Sequence, residues 1–213
     1  MRASRQRGRA PACVLAALLF AAAAPAAAAR PGRYLAAVEV RRHDPETRIT
    51  ETRYDLTRRD TFVEDIELGD EIENQLLILH PRGGPGREFV VEQRHETSLS
   101  VPNEGPHLDL LDWKHYVSPW RGLPRAGANR FLTLKISETE AARFPAVTGA
   151  EIRAAVRREG VSREWLELVK DTKGPQGPGV FVGVSKVSFR VKVRERGRWR
   201  VVNIFHFMVP MGC

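Results

Sequence analysis

The stretch from Lys186 to Val209 restricts the fold more than any other, because it reads as one long β-hairpin. Val187, Phe189, Val191 and Val193 alternate with Ser188, Arg190, Lys192 and Arg194. This period of two sends successive side chains to opposite faces. Trp199, Val201, Phe205 and Phe207 supply the second arm. A three-residue loop of Glu195, Arg196 and Gly197, with the glycine left-handed, sets Val193 opposite Trp199 and Lys192 opposite Arg200. That register predicts an inner face holding Trp199, Phe189, Phe205 and Phe207, and an outer face carrying Arg190, Lys192, Arg194, Arg198 and Arg200.

Ahead of the hairpin, the spacing predicts strands over residues 33–42, 49–56, 74–80, 89–101, 129–137 and 180–184. The run Leu76, Leu77, Ile78, Leu79 suits a strand buried on both faces. In the long strand, Phe89, Val91, Gln93, His95, Thr97, Leu99 and Val101 share one face. A face shift near Ser185 and Lys186 predicts a β-bulge. Two helices are marked by their ends, about 149–159 and 163–172. Thr148 and Glu151 are spaced as a capping box and Gly160 as a stop, while Ser162 caps the second helix before Gly174 and Pro175 close it. Strands on both sides of one helical pair argue for α+β: an antiparallel sheet of about six to eight strands, two short helices packed on one side, and the C-terminal hairpin.

Length allows one domain readily, since domains run to roughly 100–200 residues. Arg2, Arg5, Arg7 and Arg9 precede an apolar run from Ala12 to Ala24 and the small residues Ala27, Ala28 and Ala29. This is the pattern of a secretory signal peptide over residues 1–29, leaving residues 30–213 as the mature domain, periplasmic or secreted. No later stretch is long and apolar enough to span a membrane. Removing the leader takes away four arginines and no acid, so the formal charge falls from +8 to +4. A mildly basic exported chain argues against nucleic acid as a partner. Cys13 leaves with the signal, so Cys213 remains as an unpaired terminal thiol, with an intermolecular disulfide as the alternative.

Three groups bear on function. Trp113, Tyr116 and Trp120 lie in a segment of no clear periodicity and present rings with polar tips suited to a planar or carbohydrate ligand; the simpler reading is a loop pinned by its aromatics. The cations Arg190, Lys192, Arg194, Arg198 and Arg200 offer forks for an anionic polymer, unless neutralised in cis by the acidic stretch Asp60 to Glu73. His95, His107, Asp109 and His115, with Asp112 nearby, have the ligand types of a metal-assisted hydrolase, but their spacing matches no metal motif. A Gly-x-Ser-x-Gly elbow and a P-loop are both missing. The sequence therefore points to an exported interaction or structural module with no implied cofactor, contacting a protein or envelope polymer through the aromatic segment and the basic face. The hydrolase is the alternative.

Overall fold

The computed structural model describes residues 32–43, 49–66, 72–83, 86–101, 108–110, 113, 116–141, 143, 147–174 and 180–210. The signal segment 1–29, His107, Asp112, His115 and Cys213 lie outside the described residues. In chain order the first strands are β1 (Leu35–His43), β2 (Ile49–Asp55), β3 (Thr61–Asp65), β4 (Leu76–Pro81) and β5 (Phe89–Val101). Short pieces follow: β6 (Leu108–Leu110), β7 (Arg121–Gly122), β8 (Arg125–Gly127) and β9 (Arg130–Leu132). Helices α1 (Glu138–Ala141), α2 (Gly149–Arg158) and α3 (Arg163–Leu168) lead into β10 (Phe181–Glu195) and β11 (Arg198–Met208).

The strands form two sheets rather than one, and there are more of them than the sequence suggested. The first has the order β2-β1-β4-β9-β8; the second has the order β3-β11-β10-β5-β6, with β7 also pairing with β5. Nearly all ladders are antiparallel, while β3, drawn from the acidic stretch, runs parallel to β11. The architecture is thus broadly α+β and dominated by strands.

Length mismatch between the sheets organises the interior. Strands β5 and β10 run 13 and 15 residues, longer than the first sheet can cover. Over one half of their length, Phe89, Val91, Phe189, Val191, Phe205 and Phe207 pack against Val38, Val40, Leu77 and Phe131 of the first sheet. Phe62 stacks on Tyr54 at 4.8 Å and meets Phe205 at 4.8 Å, joining the layers. Over the other half, Leu99, Val101 and Val180 pack beneath Ile152, Ala155, Val156 and Val169 of the helical pair. Fully burying each such side chain contributes about 1.5–3 kcal/mol, so both cores are substantial.

The ends of α2 form as their residues specify. Thr148 Oγ1 accepts the Glu151 N–H at 3.3 Å and Glu151 Oε2 accepts the Thr148 N–H at 2.9 Å, a closed capping box. Gly160 ends the turn at φ +66°. Ser162 stands at the N-cap of α3 without a side-chain hydrogen bond, and α3 is shorter than expected.

The hairpin departs from expectation by one residue. Arg196 and Gly197 both adopt positive φ, +51° and +78°, which closes a two-residue turn of the primed type. Arg194 therefore faces Trp199, and Val193 faces Arg200. Because a one-residue slip reverses every side chain, Trp199 leaves the core and is 44% exposed. Arg198 and Arg200 move to the face shared with Val193 and Glu195. A register shift between Val191 and Lys192, where Val202 is the extra residue, then returns Phe205 opposite Phe189 and Phe207 opposite Val187. A second shift falls between Val184 and Lys186, at the expected bulge.

Candidate functional site

The same face of β5 that supports both cores carries Gln93, His95 and Thr97 between them, all buried. Three residues at the strand period span roughly 13 Å, so the two apolar cores are separated by a polar seam. Residues 133–140 cross this seam, held by side-chain bonds to their backbone. Gln93 Nε2 donates to the Leu134 carbonyl at 2.9 Å while its Oε1 accepts the Leu134 N–H at 2.8 Å. Glu73 Oε1 accepts the Ile136 N–H at 3.0 Å. Ser137 and Glu140 bond reciprocally at the start of α1, and Glu140 is ion-paired with Arg121 of β7. Burial pushes the Glu140 carboxyl up, but bonds from Arg121 and the Ser137 N–H outweigh it and hold the group below its ordinary range.

His95 is the exception. It is 4% exposed, and its Nε2 is buried without a hydrogen-bond partner. The backbone is fixed on both sides, since its N–H donates to Ser118 Oγ at 3.0 Å and its carbonyl accepts the Ser118 N–H at 2.9 Å. The Tyr116 ring lies 5.8 Å away, tilted 48°. Burial pushes the imidazole below its ordinary range; Glu140 opposes this and Arg121 reinforces it. The ring is therefore neutral at neutral pH. A cavity of about 170 Å³ opens beside it, lined by the aliphatic Ile72, Ile136, Val184, Val187 and Val209 and the polar Glu73, Gln93 and His95. Unpaired polar groups in interiors are rare and costly, so a residue with an unpartnered nitrogen in the wall of a mainly aliphatic cavity marks the candidate binding site. No described hydroxyl or thiol is hydrogen-bonded to that nitrogen.

The sequence-predicted surfaces are dispersed. Residues 108–110, 117 and 121–122 lie antiparallel along β5, as β6, a bridge between Val117 and Glu96, and β7. This puts the aromatics in three environments. Trp113 packs on the helix-side core, Tyr116 lies against His95, and Trp120 covers the outer face between the guanidinium groups of Arg94 and Arg190, at 4.7 and 4.4 Å.

The cations are likewise divided. Arg190 and Lys192 both bind Glu92, Arg194 binds Glu88 at 3.3 Å, and Lys186 and Arg94 share Glu96. Among the described residues the neutralising acids come from β5 and the residue before it, because the β5–β10 register sets Glu92 opposite Arg190. Burial raises the Glu92 carboxyl, yet bonds from Lys192 and Arg190 bring it below its ordinary range. Arg200 approaches Glu195 at 3.9 Å on the other face, and Arg198 makes no ion pair among the described residues.

The proposed metal set does not assemble around its two described members. Asp109 pairs with Ser100, five residues along β5 from His95 and on the opposite face, so one ion cannot bridge them. Among the described residues no group of three ligand side chains converges. The missed members of the site are Glu73, Gln93 and Glu140. The signal for Gln93 was present: three polar residues at consecutive inward positions of an otherwise apolar strand.

Comparison with known proteins adds no relative: no family model, no curated protein and no solved structure matches this chain.

Proposed function

We propose that this chain is an exported binding module whose seam cavity takes a small, largely apolar molecule carrying a hydroxyl group. One observation carries the reading: His95, whose buried Nε2 has no hydrogen-bond partner, lines a mainly aliphatic cavity. A neutral imidazole nitrogen either donates or accepts according to its tautomer, and a hydroxyl answers both states. The size is that of one ring, since a cavity of about 150 Å³ admits benzene. Export rests on the leader pattern of residues 1–29. An anionic polymer is a weaker candidate because Glu92, Glu96 and Glu88 already occupy most of the cations.

Methyl-resolved NMR titration with phenol, and with toluene as the matched probe lacking the hydroxyl, tests this reading. Phenol should shift the Val184, Val187 and Val209 methyls and bind more tightly than toluene, and His95→Leu should remove the difference. If the two probes bind equally to the native protein, the role of Nε2 fails; if neither shifts those methyls, the cavity is not a binding site.

A further inference from the structure

A second surface lies at the far end of β11, roughly 30 Å along the strand from the cavity residue Val209, and it is independent of the seam. In a two-residue hairpin the residues flanking the turn bond to each other, so the peptide groups of Arg198 and Arg200 face β10 while those of Trp199 and Val201 face away. Strand β3 covers β11 only from Ile204 onward, and its line ends where the Asp60 carbonyl accepts the Ile204 N–H at 2.9 Å. Among the described residues no strand lies beside residues 198–202. A recess of about 150 Å³, lined by Asp60, Thr61 and residues 201–204, marks the point where the covering strand stops.

We propose that this free edge of β11 docks an extended segment of a partner protein in which acidic and apolar residues alternate. The alternation follows from the register. On one face an added strand meets Trp199, 44% exposed, and Val201, 40% exposed. On the other it meets the hairpin tip, where Glu195, the cross-strand partner of Arg198, binds Arg33 at 3.4 Å and Arg200 at 3.9 Å, and Arg196 stands in the turn. Among the described residues, four arginines thus stand at the tip around one glutamate, and a strand with acids on that face complements them. A second copy of this chain fits poorly, because two-fold pairing of the edge sets arginines opposite arginines, which is destabilising. Strand addition of this kind draws affinity from main-chain bonds and specificity from alternate side chains.

The probe is a blocked synthetic peptide alternating glutamate and valine, titrated into the native protein and followed by amide NMR. The Trp199 and Val201 amides should shift, and binding should weaken as salt rises. Val201→Pro removes an outward N–H at an edge position that tolerates proline and should lower affinity by about tenfold or more. Should that variant fold poorly, the peptide N-methylated on alternate amides provides the same test on the native protein. Equal binding of the N-methylated peptide, equal binding of a lysine–valine peptide, absence of shifts at the edge, or self-association of the protein through residues 198–202 would each overturn the proposal.

Discussion

Strand β5 presents two polar regions on its two faces, and they differ in how completely their atoms are paired. On the outer face, Glu92 and Glu96 are matched by Arg190, Lys192 and Lys186 across the ladder with β10. The unpartnered outer nitrogen there, Arg94 Nε, belongs to a guanidinium stacked on Trp120. On the inner face, Gln93 and Glu140 are matched too, but His95 Nε2 is not. The outer ladder, a candidate binding surface in the sequence, has most of its charges paired. The inner seam, where the sequence offered His95 as a metal ligand, holds the free group.

The largest effect should come from Gln93→Leu. It strands the Leu134 N–H and carbonyl in a buried setting, where each unsatisfied group costs about 1–3 kcal/mol. Urea denaturation should show a loss of about 3 kcal/mol. A loss no larger than that of an ordinary surface change would break the claim that the seam is held by Gln93.

Glu92→Gln should come next. It removes charge-assisted bonds to Arg190 and Lys192, for an expected loss of about 1.5 kcal/mol. The freed cations should also make retention on a polyanion column stronger and more salt-sensitive than that of the native protein. Retention of the native protein at equal strength would show that the ladder is not neutralised. Trp120→Leu, which removes two cation–π contacts, should cost about 1 kcal/mol by the same denaturation measurement.

His95→Leu should have the smallest effect on stability, within about 0.5 kcal/mol of native or slightly favourable, because it replaces a buried group that has no partner to lose. Its signature is pH dependence. The His95 imidazole is held below its ordinary range by burial, and so is His206, beside Lys186 and Arg94. The folded state thus resists protonation, so stability is full above ~6.5, the unfolded value, and falls as pH drops below it. Glu92 and Glu140 are depressed carboxyls, and their contribution is lost further down, as pH falls through the ordinary carboxylate range. In His95→Leu the first decline should be shallower while the second is unchanged. An identical profile above pH ~5 would exclude His95 as a contributor.

Much of the local structure was legible in the residues. The strand period of β5, the capping box at Thr148 and the bulge near Ser185 follow from interactions within a few positions, which local spacing records. The seam was half legible, as polar residues at inward positions 93, 95 and 97, but the segment that meets them lies about forty residues away at 134–140. Trp199 was misplaced for a different reason. Turn length is set by whether Arg196, a non-glycine residue, accepts a left-handed conformation, and that small preference reverses a whole arm.

By itself, then, the sequence determined the alternating strands, the capped start of α2 and the excess of apolar surface that must be buried, because these depend on neighbours along the chain. Only the tertiary structure decided that the strands divide into two sheets, that β5 supplies the acids opposite the basic arm, and that His95 alone among the seam's side chains keeps a free nitrogen. Those outcomes rest on register and on contacts between distant segments. A shift of one residue exchanges core for surface, and no local pattern records which distant partner reaches which polar atom.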